Sequence, residues 1–233
     1  MGRLENIRAG ASYKDVFKGQ LLHVSLAFLM VLGAGSLLLP SLSGQTFLGW
    51  NTLEWAKCSI ILALIHQVIV AIVFRLELYK GLMTVVFKRR AMKVWAAVFL
   101  PFLVARPITI IIVGWLDTNS ITRFQGTERV VGILLILLAI VAMHSVIKYF
   151  TIRRALGADH FDNEVIAMPL VTEGMFKYTS NGMYGVVFLG LWGIALAFNS
   201  WNALVVAFFQ HTYIWVHMYV TEQPDMDRIY GDQ

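Results

Sequence analysis

Six long runs of apolar residues, separated by polar stretches, set the pattern of the chain; they lie at about 20–40, 55–74, 94–116, 129–150, 183–199 and 201–220. A helix needs about 20 mostly apolar residues to cross a bilayer, and each run comes near that length. None alternates apolar and polar residues with a period of two, as the strands of a membrane barrel do. Lipid offers no partner to an unpaired backbone amide or carbonyl, so the runs are expected to be helices. The third is interrupted by Ala105-Arg106-Pro107. Only Asn-Ser-Trp-Asn at 199–202 separates the last two, which predicts a tight antiparallel hairpin. The expected fold class is all-α and integral to the membrane, with about six transmembrane helices.

Composition agrees. Hydrophobic residues make up 58% of the 233 positions and charged residues 14%, against about 25% charged in soluble domains. A net charge of +5 points to nucleic acid in a soluble protein. Here the cations sit between apolar runs, and no nucleic-acid partner is expected. The sole cysteine, Cys58, lies inside an apolar run, which excludes an intramolecular disulfide and zinc sites built from two or four cysteines. The N-terminal stretch lacks the apolar core and cleavage site of a signal peptide and is expected to be retained.

The placement of Lys and Arg orients the runs. Segment 1–19 holds Arg3, Arg8, Lys14 and Lys18; 75–93 holds Arg75, Lys80, Lys88, Arg89, Arg90 and Lys93; 148–182 holds Lys148, Arg153, Arg154 and Lys177. The stretches 41–54 and 199–202 hold none, and 117–128 holds only Arg123. Cations favour the cytoplasmic side, so both termini and the loops 75–93 and 148–182 are expected there. Segments 1–19 and 75–93 mix apolar residues with cations and are expected to lie along the membrane surface.

In this topology two polar, aromatic stretches meet on one side. V-T-E-G-M-F-K-Y-T-S-N-G-M-Y-G, at 171–185, leads into the fifth run, and T-E-Q-P-D-M-D-R-I-Y-G-D, at 221–232, leaves the sixth. Together they resemble the membrane-embedded methyltransferases that include phosphatidylethanolamine N-methyltransferase and isoprenylcysteine carboxyl methyltransferase. That family's pattern reads V-T-x-G-x-Y-x-Y, then R-H-P-x-Y-x-G or D-N-P-M-Y-x-G, a helix hairpin, and E-E-P-x-L-x-x-x-F-G. The likeness covers about 150–233. It departs at Ser180-Asn181-Gly182, where R-H-P can stand, and at Gln223, where a second glutamate stands.

The resemblance implies a methyltransferase with S-adenosylmethionine as cofactor, bound at a cytoplasmic site. Its acceptor is a lipid or lipophilic molecule from the bilayer, and Asn-Gly-Met-Tyr favours an ethanolamine phospholipid amine. An isoprenylcysteine carboxylate or a small thiol is the competing acceptor. A non-catalytic membrane protein, transporter-like or an assembly factor, is the alternative of another class. The resemblance assigns catalytic roles to Glu222, Asn181 and Tyr184, and donor binding to Gly174, Tyr178, Asn181, Gly182, Met183, Tyr184, Glu222, Gln223 and His160. It divides the chain into N-terminal transmembrane helices, 1–128, and a methyltransferase-like core, 129–233.

The residue types suit the chemistry. Methyl transfer from a sulfonium is an in-line displacement, in which holding the partners aligned contributes on the order of 7–11 kcal/mol. Phe176, Tyr178 and Tyr184 offer ring faces to a cation. Gly174, Gly182 and Gly185 allow close backbone approach, and Glu222 offers a carboxylate to an ammonium or a ribose. Plainer readings stand beside these: tyrosines as interface anchors, Gly185, Gly190 and Gly193 as helix-packing positions, and Asn181-Gly182 as a turn. In the sixth run Gln210, Tyr213, His217 and Thr221 share one face. His211, Trp215, Met218 and Glu222 share the next, which is expected to line the route to the donor. His144, His211 and His217 lack the spacing of a histidine metal motif, and no metal is expected. Asp159 and His160 are candidates to touch donor or head group, and Arg106 to pair with a carbonyl at a proline kink.

Overall fold

The computed structural model describes residues 2–41, 43–121 and 125–231. Arg123, the one cation counted at 117–128, lies outside them, as do Asp232 and Gln233. The helices are α1 (Arg3–Ala9), α2 (Tyr13–Phe17), α3 (Gln20–Leu37), α4 (Thr52–Lys80), α5 (Leu82–Phe87), α6 (Ala91–Leu116), α7 (Gln125–Ser145), α8 (Ile152–Ala155), α9 (Asn163–Ile166), α10 (Leu189–Ala197), α11 (Trp201–His217) and α12 (Gln223–Tyr230). Among the described residues five helical stretches are long and apolar enough to cross a membrane: Tyr13–Leu37, Thr52–Lys80, Leu82–Leu116, Gly126–Phe150 and Trp201–Tyr230. The fifth apolar run forms a shorter helix, Met183–Ala197. The protein is an all-α, multi-pass membrane protein.

Local sequence explains the helix ends. Asn51 starts α4 with a capping box: its side chain accepts from Glu54 N at 3.1 Å, and Glu54 accepts from Asn51 N at 2.7 Å. Gly81 ends α4 at φ 63°, a left-handed turn that suits glycine. Ser200 caps α11, its hydroxyl accepting from Ala203 N at 3.1 Å. Phe198–Ser200 joins α10 to α11, and the two helices pack together.

The expected break at Ala105-Arg106-Pro107 is absent: α6 runs continuously through Pro101 and Pro107. Each proline removes one backbone donor, but lipid gives a broken helix nothing else to bond. Neighbouring helices and hydroxyl side chains carry the helix through; Thr109 Oγ1 donates to the Arg106 carbonyl at 2.9 Å.

The core lies where α11 packs against α3, α4, α6 and α10, through Ala203, Val206, Ala207 and Tyr213, all fully buried. α10 lies close against α7. A Cβ on Gly193 would sit 2.7 Å from the Gly132 carbonyl oxygen, and one on Gly132 2.8 Å from that of Gly193. Such small residues let membrane helices approach backbone to backbone. Outward positions of α3 and α7, such as Leu21, Phe28, Leu134 and Val141, are exposed apolar side chains suited to lipid.

Two expectations for the cationic segments are corrected. The apolar side of α1 is not turned outward to lipid. Leu4 and Ile7 are buried in a cluster with Leu78 of α4, Ile166 of α9 and Ile229 of α12. Arg75 is not a loop cation. It sits within α4 at 1% exposure, because the helix continues past the second apolar run to Lys80 and turns this side chain towards an acidic partner.

Candidate functional site

Three helical segments widen into π turns at the same end of the bundle: Val146–Phe150 after α7, Met183–Val187 before α10, and Met218–Glu222 between α11 and α12. A π turn inserts a residue and re-aims the side chains around it, and such turns occur often at functional sites. All three contribute walls to one cavity of about 270 Å³, through Val146 and Phe150, Met183 and Tyr184, and Glu222. α4 adds His66 and Phe74, α6 adds Arg106, and the segment after α8 adds Gly157, Asp159 and His160.

At the cavity wall Tyr184 Oη donates to Glu222 Oε2 at 2.5 Å. The two residues come from the two sequence stretches that flank the last pair of helices. Nearby, Tyr230 donates to Asp159 Oδ2 at 2.8 Å, while Asp159 Oδ1 has no partner among the described residues. The His160 ring stacks on Phe74 with centroids 4.1 Å apart. Gly157, at φ 74°, lets the chain turn directly over that Phe74 ring, where a Cβ would collide with it.

Behind this wall Arg75 organises the backbone. Its Nη2 donates to the carbonyls of Val220 and Thr221 at 3.3 and 3.2 Å, and its Nη1 to that of Asp15 at 3.2 Å. Its Nε lies 3.1 Å from Asp225 Oδ1, a close charge contact, and His160 Nε2 lies 3.4 Å from Asp225 Oδ2; neither is an aligned hydrogen bond. Arg75 therefore fixes the π turn that carries Glu222, and Asp225 ties that turn to His160.

The inner end of the cavity holds Arg106, His66 and His217. Arg106 pairs with a carbonyl as expected, but that carbonyl is on α11 and α6 runs on unbroken beside it. The side chain reaches α11, with Nε donating to Gln210 Oε1 at 2.8 Å and Nη2 to the Gln210 carbonyl at 3.4 Å, and its guanidinium lies 5.0 Å from the centre of the Phe188 ring. A second cavity of about 380 Å³ lies between α6, α7 and α10 and shares Arg106, Phe188, Leu103 and Met143 with the first. Its other walls are apolar, and Val104 and Ile140 among them are exposed on the lipid-facing side.

Of the residues named from the sequence, Met183, Tyr184, Glu222 and His160 line the first cavity. Gly174, Tyr178, Asn181, Gly182 and Gln223 do not line it. Gly174, at φ 59°, packs against Ser145 and Tyr149, and Gly182 packs against Met175. The Asn181 carbonyl accepts from Gly185 N at 2.8 Å at the start of the π turn. Tyr178 is 84% exposed. Gln223 donates to Asp227 at 2.8 Å on the exposed side of α12. From α11 it is His217, with Ile214, that reaches the cavity, whereas His211 accepts from Trp192 Nε1 at 2.9 Å. Arg75, Asp225, His66 and Phe74 were not singled out as site residues by sequence. The one signal for the first pair was an arginine adjoining an apolar run and an aspartate just beyond another.

Residues 127–233 match the family model for phospholipid methyltransferases. The phosphatidylethanolamine N-methyltransferase of Scheffersomyces stipitis is 33% identical over 73 residues, covering 31% of this chain and 8% of that protein. That of Debaryomyces hansenii is 30% identical over 109 residues, 46% of this chain and 12% of that protein. The chain thus matches about a tenth of the length of these relatives, 8% and 12%. No solved structure matches it.

Proposed function

We propose that this membrane protein, whose residues 127–233 match the family model for phospholipid methyltransferases, transfers a methyl group from S-adenosylmethionine to the amine of an ethanolamine phospholipid. The observation that carries the reading is the Tyr184–Glu222 pair, which joins the family's two motif stretches at the wall of a cavity. The cavity approaches the size of small-ligand pockets, about 300–1,000 Å³, and offers what a cationic nucleoside needs: a carboxylate, aromatic faces and an unpartnered carboxylate oxygen on Asp159.

Glu222 holds the ammonium or the ribose of the donor, and Tyr184 orients that carboxylate while presenting its ring. His160, stacked on Phe74, and Asp159 form the opposite wall. Met183 closes the side towards α10. Asn181, Gly182 and Gly174 support the turn that carries Met183 and Tyr184, and Tyr178 and Gln223 form the outer rim. When bound, the donor supplies an electrophilic methyl group; the protein's part is alignment and exclusion of water. The second, apolar cavity takes the acceptor's acyl chains from the bilayer, so the amine arrives past Arg106 and Phe188. The catalytic core is 129–233, and the helices of 1–128 complete the cavity with His66, Phe74 and Arg106. Both termini face the cytoplasm, where the cations cluster.

Gln223, whose missing carboxylate favours a non-catalytic protein, lies away from the cavity, and its exchange leaves the cavity wall intact. The test is transfer of labelled methyl to phosphatidylethanolamine by the purified protein in vesicles of that lipid. N-methylated lipid is expected. Absence of labelled lipid together with absence of donor binding overturns the reading, and label appearing only on a carboxylate or thiol acceptor moves it to the competing substrates.

A further inference from the structure

Methylating an ammonium-bearing head group releases one proton per methyl, and that proton must leave a site enclosed by lipid-facing helices. Four histidines at or near the cavity have ring nitrogens without any hydrogen-bond partner among the described residues: both nitrogens of His66, both of His217, and Nε2 of His23 and of His160. All four side chains are at most 2% exposed. Buried polar groups are nearly always paired, so each exception asks for a reason. The other acidic and basic groups of the cavity hold a partner through at least one atom: Glu222 with Tyr184, Asp159 with Tyr230, Arg106 with Gln210, Arg154 with the Pro169 carbonyl, and His160 through Nδ1 with the Gly157 carbonyl, while Asp159 Oδ1 stays unpartnered.

His66 lies between phenylalanines, with ring centroids 4.6 Å from Phe99 and 5.6 Å from Phe102. His217 is placed differently. It lines the cavity, and its ring centroid lies 5.6 Å from that of His23, which does not line it. His23 Nδ1 lies 3.4 Å from Gln20 Oε1, one turn from the start of α3, where Gly19 is exposed and abuts the Val220 carbonyl. The two rings thus lead from the cavity to the outer end of α3.

We propose that His217 accepts the proton released in each methyl transfer and that His23 carries it out of the bundle; the proposal rests on the amine-methylating reading above. An imidazole nitrogen of His217 takes a proton from the head-group ammonium. The freed nitrogen lone pair then forms the new C–N bond as the methyl carbon–sulfur bond breaks, its electron pair going to sulfur. The product is a methylammonium and a neutral thioether, and the proton passes from His217 to His23 and then to water beside Gly19 and Gln20. The titratable and charged groups that act on His217 are His23 of α3, His66 of α4, Arg106 of α6 and His160 after α8.

His217→Gln keeps the volume and removes the base. In vesicles of phosphatidylethanolamine its turnover at pH 7 falls by about 100-fold or more, the usual scale for a general base. Donor affinity, measured with labelled S-adenosylmethionine, stays within about twofold. The remaining activity climbs with pH by about tenfold per unit, as the head-group amine loses its proton unaided. His23→Gln shows a smaller loss of the same kind. Wild-type-like turnover and pH profile in H217Q overturn the proposal while leaving the methyltransferase reading intact; an inactive wild type that binds no donor overturns both. If H217Q does not fold, ¹⁵N spectra of wild-type histidines carry the test. The His217 nitrogen signals move when phosphatidylethanolamine is added, and signals that stay fixed overturn the assignment.

Discussion

The two ends of the bundle treat buried polar groups in opposite ways. At the α10–α11 turn they form a closed network. Asp117 Oδ2 accepts from Ser120 Oγ at 2.7 Å, Ser200 Oγ at 2.8 Å and Asn202 N at 3.1 Å. Asn202 brackets Leu39, its side chain accepting from the amide and donating to the carbonyl at 2.9 Å each. At this end Asn199 Oδ1, Thr52 Oγ1 and Glu128 Oε2 lack a partner among the described residues. At the cavity end the pattern is loose: unpartnered imidazoles, a half-used carboxylate on Asp159 and charge contacts around Asp225. An unsatisfied buried polar group costs about 1–3 kcal/mol. The Asp117 network pairs its own groups without help; in the proposed function, a ligand completes the pairing at the open end.

The comparison predicts effects of different kind and size. The largest is on Asp225, which counters Arg75 at 0% exposure. Asp225→Ala leaves a buried guanidinium uncompensated and costs about 3–5 kcal/mol, read as a fall in thermal midpoint in detergent. Next comes Glu222→Ala. Losing a hydrogen-bonding charged partner is worth about 1.5–3 kcal/mol, so the dissociation constant for labelled donor rises by about 10- to 150-fold, with the thermal midpoint little changed. Asp117→Ala does the reverse: stability drops by about 1–3 kcal/mol, while donor affinity of the folded protein is unchanged. The smallest effect is Gln223→Ala, within about 0.5 kcal/mol, with donor affinity as in wild type. A loss of binding in that variant would move the donor site outward to the rim.

Much of this architecture is legible in the sequence, and the limits have physical causes. Apolar runs report the helices because lipid demands them. The two motif stretches report Tyr184 and Glu222 because both adjoin one short helical pair. What escaped is pairing between distant helices. Arg75 reads as a loop cation because hydropathy ends at Phe74, whereas the helix continues and its partner lies 150 residues on, at Asp225. Arg106-Pro107 reads as a break because proline weakens helices in water, yet in lipid the helix has no better alternative. The engagement of Arg106 with Gln210 and the stacking of His160 on Phe74 depend on helix rotation, which the apolar pattern of fully lipid-suited helices barely encodes. The π turns escaped for the same reason, since nothing in the residue spacing of Met218–Glu222 distinguishes five residues of π helix from α.

The central claim is that the cavity bounded by the Met183–Val187 and Met218–Glu222 turns holds the methyl donor. The direct measurement is photo-crosslinking of an azido-adenosine analogue of S-adenosylmethionine to the protein in vesicles, followed by peptide mapping. The account predicts label on peptides containing Tyr184, His160 or Glu222, displaced by unmodified donor. Displaceable label confined to other peptides, or no displaceable label at all, would contradict it.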